Sequence, residues 1–542
     1  MKYDSYFHQV QEQQKLPIAR TYLEHNCSID VDRNPAFVRQ TNLVCTIGPS
    51  CLTTEVLEYM LLHGMNIARI NINSGSREFI KELVTKIRSI EAKHNFYPCV
   101  GIALDITSPT NSENSIDLQF GDSIKLTTDK EFQNKSDNKT IWIDTCYFPN
   151  FCQSVQKGDR IYLDEGLLTL ITEEVSENSI LCRIEIGGKL KGSRRVDLPR
   201  ERCYSKQSEE KYFDDLDWAK NNDIDVVFTS YSENSRILNR AKTILGDTVG
   251  LFMKVETRES FKNLKESLHI VDGVVICRGQ LGLEINHEKI FKLQKAIIGY
   301  CNLMMKPVFV QAQLLESMRY KPRATRAEVS DVANAVLDGT DGLVLTVETA
   351  KGVYPKESLS ILHKTCREAE TSIFQSRKQL DLKYTRERLN LNQTSTAETT
   401  ALMAVEAANM GASAILVPTI TGRSAALIAS YRPACPIIAI VRRPKTARKC
   451  HFFRGIHPFV YNGKKVDDWS EDMDMRINAA MNMLRSRDFI SDHDQVIIVN
   501  GDNPEAGSTN TVRTFTIPEE GKFLEVVKPP KLDHWAKEED IL

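Results

Sequence analysis

Charged and amide side chains stand at the ends of several short apolar segments, and their types suit the chemistry of phosphate. Arg69 and Lys254 are cations of the kind that neutralise charge on a transferring phosphoryl group. Glu256 is a carboxylate, the type of oxygen ligand that a hard divalent metal prefers. The set also contains Asn71, Asn73, Asp105, Arg278, Gln280, Gln313 and Glu348. We therefore predict a site for an anionic, phosphorylated substrate held with a metal ion. The alternative is a solvated charged rim that binds no ligand.

Eight apolar runs, rich in β-branched residues, carry these side chains at or just after their ends. The runs are nearly continuous in apolar character, which is typical of parallel strands buried on both faces. Amphipathic stretches, such as residues 54–63 and 327–337, separate them. This alternation predicts a TIM (β/α)8 barrel, whose chemistry lies at the carboxyl ends of the strands. The predicted strands are residues 42–48, 66–72, 100–106, 225–231, 249–256, 273–279, 307–313 and 342–348.

A long insertion after the third run predicts a second domain. Short strand-like runs within it, separated by Gly and Asp turns, indicate a small β-barrel that acts as a lid over the barrel mouth. A further α/β pattern follows a helix or linker at residues 375–393. We predict an N-terminal arm at residues 1–40 with a helix near 5–25, the barrel at 41–108 and 203–378, the lid at 109–202, a C-terminal α/β regulatory domain at 392–518 and a polar tail at 519–542.

The composition excludes several classes of protein. The 542 residues carry a net charge of −2, so no basic field points to nucleic acid. The first 30 residues contain no apolar h-region of a signal sequence, and no apolar stretch is long enough for a membrane span. The 13 cysteines are scattered singly, an odd count that favours neither a disulfide framework nor a zinc site. We expect a cytoplasmic protein that binds neither membrane nor nucleic acid.

Longer motifs make the chemistry more specific. The segments CTIGPS (45–50), GMNIARININSG (64–75), RGQLGLEI (278–285), KPRATRAEVSDVANAVLDGTD (321–341) and ETAKGVYP (348–355) closely resemble pyruvate kinases. The resemblance runs from about residue 40 to residue 518. It implies a barrel, an inserted β lid and a C-terminal α/β domain. It also implies phosphoryl transfer from phosphoenolpyruvate to ADP, giving pyruvate and ATP in glycolysis, with Mg²⁺ (or Mn²⁺) and K⁺ as cofactors, usually in a homotetramer.

The resemblance assigns roles to residues of this chain. It implies that Arg69 binds phosphate and that Lys254 stabilises the transferring phosphoryl group. Glu256 matches the first magnesium ligand, and the backbone amide of Gly279 is expected near the substrate carboxylate. The implied potassium site is formed by Asn71, Asn73, Asp105 and the backbone carbonyl of Ile106, and Asn71 also matches the family's asparagine at the nucleotide phosphate.

Several residues depart from the family pattern at the reaction centre. Gln280 stands where the family has an aspartate magnesium ligand, so one negative charge is lost and metal affinity should fall. Ala312 stands where the family has a threonine implicated in protonating the enolate, so that hydroxyl is absent. Ser74 replaces a histidine on the adenine side, and residues 106–112 lose a lysine, a glutamate and an arginine near the nucleotide.

Two functions follow from these departures. The first is a pyruvate kinase with impaired catalysis. The alternative is a weak or inactive regulatory or assembly subunit, which binds ligands or joins an active paralogue in a hetero-oligomer. Each lost group is worth about 2–4 kcal/mol of transition-state stabilisation where the reaction uses it.

The C-terminal domain contains a candidate effector loop that joins a strand to a helix. It resembles the family's loop for a phosphate of fructose 1,6-bisphosphate and has a matching pair of residues for the other phosphate. However, residues 501–508 are acidic where activated members carry Arg or Trp, and loop residues that only preserve the fold are the alternative. The implied contacts are Thr419, Thr421, Gly422, Arg423, Ser424, Trp469 and Arg476.

Overall fold

The computed structural model describes residues 19–94, 99–106, 116–132, 135–143, 151–163, 168–190, 196–197, 206–391, 395–503, 505 and 507–526. The chain divides into two compact units, Thr41–Glu370 and the residues up to Gln40 together with those from Thr371 onward. Within the described ranges no helix has the length and apolar character needed to cross a membrane. Residues 107–112 near the nucleotide, most of the predicted N-terminal helix and the end of the polar tail lie outside these ranges. The described part of this region contains the helix Tyr22–Cys27, which overlaps the end of the predicted helix.

The larger unit begins with three parallel strands, β1 (Asn42–Thr46), β2 (Ile67–Asn71) and β3 (Gly101–Ile106). Nearly every residue of these strands is buried, as their continuous apolar character predicts. The intervening helices are Thr54–Leu62 and Arg77–Lys93. Each has an N-cap hydroxyl, from Thr53 and Ser76, that accepts a backbone hydrogen bond and satisfies an exposed amide of the first turn.

The insertion is a β domain, as predicted. A six-stranded sheet has the order β11-β7-β8-β9-β5-β6, and β10 pairs separately with β4. Burial alternates along β5 and β9, because successive side chains point to opposite faces of the sheet. Most apolar side chains therefore face the core, and most polar ones face solvent. The short strands β4, β10 and β11 were not predicted. The bounds are β4 (Ile116–Leu118), β5 (Ser123–Thr127), β6 (Thr140–Trp142), β7 (Arg160–Leu163), β8 (Leu168–Val175), β9 (Ser179–Ile186), β10 (Gly188–Leu190) and β11 (Val196–Asp197).

Five further parallel strands complete the barrel. They are β12 (Val226–Thr229), β13 (Gly250–Val255), β14 (Gly273–Cys277), β15 (Val308–Gln311) and β16 (Gly342–Leu345). The eight strands close in the order β1-β16-β15-β14-β13-β12-β3-β2, which confirms the predicted TIM barrel. The rings of Phe228, Phe252 and Phe309 pack together inside it, with centroids 5.3–6.2 Å apart. The helices of this part are Lys206–Asn221, Ser235–Leu245, Arg258–Lys262, Leu264–Ser267, Arg278–Glu284, Ile290–Leu303, Arg326–Asp338, Val347–Ala350 and Pro355–Thr371.

The second unit contains an α/β sheet, also as predicted. Its strands are β17 (Ala414–Pro418), β18 (Ile437–Val441), β19 (Ile456–Val460), β20 (Gln495–Gly501) and β21 (Thr509–Thr516). The order is β19-β18-β17-β20-β21, with only β21 antiparallel to its neighbour. The stretch predicted as helix or linker is the helix Gln375–Arg388. The remaining helices are Thr396–Ala408, Arg423–Ser430, Pro444–Cys450 and Trp469–Ser486.

Candidate active site

Two cations and two carboxylates form a network inside the carboxyl end of the barrel. Arg69, on β2, approaches Asp105 Oδ2 with Nε at 2.7 Å and Nη2 at 2.5 Å. The other oxygen, Asp105 Oδ1, accepts from Lys254 Nζ at 2.9 Å. Lys254 Nζ also lies 2.6 Å from Glu256 Oε1. Asp105 therefore joins the two cations that were predicted to neutralise phosphate.

This network is shielded from solvent. The side chain of Arg69 is 7% exposed, and those of Asp105, Lys254 and Glu256 are at most 1% exposed. The formal charges of the four groups sum to zero, and such pairing is what makes buried charges tolerable. Because the strands end at the same edge of the barrel, the ends of β2, β3 and β13 bring the four groups together. The cations are thus held in place, but each is engaged with a carboxylate.

Two hydroxyl groups that the sequence reasoning missed complete the network. Thr46 Oγ1 accepts from Arg69 Nη1 at 2.7 Å and donates to the backbone carbonyl of Leu345. Ser230 Oγ accepts from Lys254 Nζ at 3.1 Å and donates to Glu256 Oε1 at 3.3 Å. A signal was available, because Thr46 ends β1 and Ser230 directly follows β12. These hydroxyls fix the orientation of both cations.

Ala312 lies in an unusual backbone conformation just after β15. Its φ is 71°, and that of Gln313 is 53°, so two successive non-glycine residues are left-handed. Such a conformation costs about 1–3 kcal/mol per residue and needs support from its surroundings. Arg278 supplies it, donating to the carbonyl of Ala312 at 2.9 and 3.2 Å and to that of Gln313 at 2.7 Å. Asp331, 2.6 Å away, balances the guanidinium charge.

Gly279 and Gln280 lie on the helix Arg278–Glu284, which begins directly after β14. Gln280 is 7% exposed and therefore sits inside the site rather than on its rim. A neutral amide at this buried position contributes no charge to a metal ion. Arg278, the first residue of the same helix, links it to the left-handed turn at Ala312. The two departures at positions 280 and 312 thus lie on elements joined by one guanidinium.

The residues of the implied potassium site are arranged around the end of β2 and β3. Asn71 Oδ1 accepts from the backbone amide of Asn73 at 2.9 Å and caps the short turn that follows β2. Asp105 is paired opposite Asn71 in the sheet register. The carbonyl of Ile106 accepts from Ser230 N at 3.4 Å, so this oxygen already has a donor. The side chain of Asp105 is likewise engaged by both cations.

The residues present fit a divalent cation only when a substrate adds oxygen ligands. The described part of the chain contains no group of three or more His, Cys, Asp or Glu side chains that could hold a metal ion. Glu256 offers one carboxylate and Gln280 one amide oxygen. Magnesium in phosphoryl-transfer sites is typically held by one or two carboxylates together with substrate phosphates. The donor set therefore suits a cation that arrives with a phosphate.

A cleft of about 430 Å³ separates the inserted β domain from the barrel beside this site. Tyr162, Thr169 and Ile186 line it from the insertion, and Arg278, Gly279 and Gln313 line it from the barrel. The insertion therefore faces the carboxyl ends of the barrel strands, where a lid was predicted. Residues 164–166 and 191–195 of the insertion lie outside the described ranges.

The predicted effector loop lies at the carboxyl end of β17, where the strand order of the second sheet reverses. Such switch points are the usual ligand sites of α/β sheets. Thr419 Oγ1 accepts from Gly422 N at 3.1 Å, and Gly422 has a φ of 84°, which glycine adopts without strain. Ser424 Oγ lies 2.7 Å from Thr509 Oγ1 on β21. The helix Arg423–Ser430 begins at this turn.

The second pair of predicted effector residues lies on the helix Trp469–Ser486. Trp469 is its first residue, and Arg476 is 8% exposed. Arg476 Nη2 donates to the carbonyl of Ile440 at 3.1 Å, and Nη1 lies 3.8 Å from Asp472. Burial lowers the pKa of Arg476 below its ordinary value, although the group remains a cation. The domain thus holds this arginine with its own backbone.

Comparison with known proteins agrees with both units. Residues 38–359 match the family model for the pyruvate kinase barrel domain, and residues 398–515 match that for the pyruvate kinase alpha/beta domain. Pyruvate kinase PKLR of Homo sapiens is 37% identical over 526 residues, covering 93% of this chain and 90% of its own. A pyruvate kinase of Agaricus bisporus is 35% identical, covering 94% and 98%. Pyruvate kinase 2 of Saccharomyces cerevisiae is 34% identical, covering 90% and 97%. With both domain models matched and its fold and buried cation pair in place, the chain belongs to the pyruvate kinase family.

Proposed function

We propose that this chain binds phosphoenolpyruvate and ADP and transfers the phosphoryl group between them at a strongly reduced rate, giving pyruvate and ATP in glycolysis. The observation that carries the proposal is the buried pairing of Lys254 and Arg69 through Asp105. Two cations fixed in a solvent-free mouth suit the charge that spreads over a transferring phosphoryl group. Gln280 and Ala312 are the reason to expect a low rate.

The two cations of the network would act by exchanging their carboxylate partners for the oxygens of a phosphate. Lys254 and Arg69 contact carboxylates in this structure, and a phosphate that enters would take over part of these contacts. The backbone amide of Gly279 would orient the substrate carboxylate. Glu256 and Gln280 would hold Mg²⁺ or Mn²⁺, which when bound neutralises charge on the phosphate oxygens. Asn71, Asn73, Asp105 and the carbonyl of Ile106 would hold K⁺.

The expected loss of rate has two sources. Removing one group that stabilises the transition state typically lowers the turnover number about 100- to 1000-fold. Gln280 removes one negative charge from the metal site, and Ala312 removes the hydroxyl implicated in proton delivery. Because both groups serve one reaction, the two effects will not simply multiply.

A second candidate is a regulatory or assembly subunit that binds ligands without turnover. It is favoured by the contrast between an altered reaction centre and a C-terminal loop whose turn is fully formed around Thr419 and Gly422. Such a subunit would join an active paralogue in place of the usual homotetramer. A cytoplasmic location suits either candidate.

A coupled assay of purified protein tests the first candidate. Pyruvate formation is measured with phosphoenolpyruvate, ADP, K⁺ and excess Mg²⁺ or Mn²⁺, beside the variant Lys254→Met. We expect a slow wild-type rate that the variant abolishes. Equal rates for both proteins would exclude catalysis at this site. Saturable binding of phosphoenolpyruvate without turnover would instead support the second candidate.

A further inference from the structure

Gln311 is the last residue of β15, and its side chain points into the barrel. The ring of Phe309, two residues earlier, packs against Phe252 with centroids 5.3 Å apart and against Phe228 at 6.2 Å, inside the barrel. Successive side chains of a strand point to opposite faces, so Gln311 shares the inward face with Phe309. It therefore lies one layer nearer the carboxyl mouth than the aromatic cluster.

The sheet register relates Gln311 to Glu256 across one intervening strand. Val255 pairs with Ile276, and Ile276 pairs with Val310. Glu256 directly follows β13 and Gln311 ends β15, with Cys277 of β14 between them in the register. Neighbouring strands are 4.7–4.9 Å apart, so the two backbones are roughly 10 Å apart, a distance that a Glu and a Gln side chain can span together with a shared ion.

The amide oxygen of Gln311 has no hydrogen-bond partner among the residues that the structure describes, although the side chain is 95% buried. Its lateral neighbours explain this: Val344 is apolar, and the thiol of Cys277 is directed to the carbonyl of Val275. A buried carbonyl oxygen without a donor is costly, because desolvation is not compensated. Such an atom is available as an acceptor for a water molecule or a ligand from outside the chain.

We propose that Gln311 Oε1 is a further ligand of the divalent cation, together with Glu256. Hard cations accept amide carbonyl oxygens, whereas the oxygens of an anionic substrate would be repelled by this acceptor. The cation would then be held by one carboxylate, two amide oxygens and the phosphate of the substrate. This inference rests on the proposed function, because that function brings the cation to the site.

The test measures Mn²⁺ binding to the full-length protein by electron paramagnetic resonance, with phosphoenolpyruvate absent and present. Gln311→Met keeps the length of the side chain but removes its oxygen, and we expect the dissociation constant for Mn²⁺ to rise roughly tenfold or more. Gln311→Glu adds a negative oxygen and should tighten binding. Gln495→Met, at an exposed glutamine that begins β20 in the second unit, is the matched control and should bind as the wild type does.

Circular dichroism and the melting temperature establish that each variant is folded. Wild-type affinity in both Gln311 variants would overturn the inference, as would a wild-type protein that shows no saturable Mn²⁺ binding with phosphoenolpyruvate present. An effect of Gln311→Met on phosphoenolpyruvate binding alone would also overturn it, because the residue would then contact the substrate. Mn²⁺ binding can be measured even if the protein has no turnover. The result therefore tests this inference separately from the proposed function.

Discussion

Lys254 Nζ lies 2.6 Å from Glu256 Oε1 in the interior of the barrel, where each side chain is 1% exposed. Both groups are on β13 or at its end, two residues apart on the same inward face. The ammonium that would stabilise a phosphoryl group is therefore held by a carboxylate before substrate enters. The same is true of Arg69 and Asp105. Catalysis at this site would require an exchange of ion-pair partners. The free-energy cost of that exchange depends on how strongly a metal cation competes with Lys254 for Glu256.

Replacing Lys254 by methionine should destabilise the fold strongly. The change leaves Asp105 and Glu256 with a single cation between them, and an uncompensated buried charge typically costs about 3–5 kcal/mol. Urea unfolding of the purified protein measures this loss. The double variant Lys254→Met with Glu256→Gln should recover part of it, because one of the unbalanced charges is then gone.

Lys262→Met is the matched control for that measurement. Lys262 pairs with Glu259 on the surface, where the side chains are 62% and 51% exposed. An exposed pair of this kind contributes about 0–1 kcal/mol. If both lysine variants lost the same stability, the buried network would not be the organised unit described above.

Glycine at position 312 should be tolerated. Ala312 has a φ of 71°, which glycine adopts readily and alanine does not, so the relief of strain offsets the greater entropy of glycine in the unfolded chain. We expect the free energy of unfolding of Ala312→Gly to lie within about 1 kcal/mol of the wild type. Ala296→Gly, inside the helix Ile290–Leu303, should cost about 1 kcal/mol. A larger loss at position 312 than at 296 would contradict the strained turn.

The second unit should lose stability in mild acid. Burial, aided by the charges of His451 and Arg39, lowers the pKa of His457 to about 3, although part of its side chain reaches the surface. Below the ordinary value of 6.5 the unfolded chain binds a proton that the folded chain does not. Stability from this group is therefore complete above pH 6.5 and lost as the pH falls toward 3, by at most about 1.4 kcal/mol per pH unit.

The variant His457→Phe isolates that effect. Urea unfolding at pH 7.5, 6.5 and 5.5 should show a shallower decline for the variant than for the wild type. His269→Phe, at an exposed histidine, serves as control and should leave the decline unchanged. Parallel declines in wild type and His457→Phe would show that other groups cause the acid sensitivity.

Much of the fold was accessible from the sequence because parallel barrel strands are buried on both faces. Each predicted run of the barrel overlaps an observed strand, and the ends differ by at most three residues, mostly because turns begin before the apolar run stops. The short lid strands β4, β10 and β11 were missed, since two or three residues carry too little periodicity. The positions at strand ends identified Arg69, Asp105, Lys254 and Glu256, and the family resemblance gave them roles. The structure brings the four into one network.

The remaining site residues depend on contacts between strands, which no local pattern encodes. Arg278 was predicted at the mouth of the barrel. Its hydrogen bonds to the carbonyls of Ala312 and Gln313, however, depend on the left-handed turn that these two residues form. Apart from their position at strand ends, nothing in the sequence distinguishes Thr46 and Ser230 from other hydroxyl residues, because their contacts with the cations form only when the strands align in the barrel. Gln311 lies in an apolar run, and no local pattern marks it as a site residue. Its relation to Glu256 follows only from the register of β13, β14 and β15.

The rate of pyruvate formation after repair of the reaction centre decides whether positions 280 and 312 limit catalysis. The protein to measure is Gln280→Asp with Ala312→Ser, since serine restores a hydroxyl and a β-branched threonine is disfavoured at a φ of 71°. With excess Mg²⁺, phosphoenolpyruvate and ADP, we expect turnover at least tenfold above the wild type, lost again on adding Lys254→Met. A wild-type rate equal to that of the repaired protein would contradict the account, because positions 280 and 312 would then not limit catalysis.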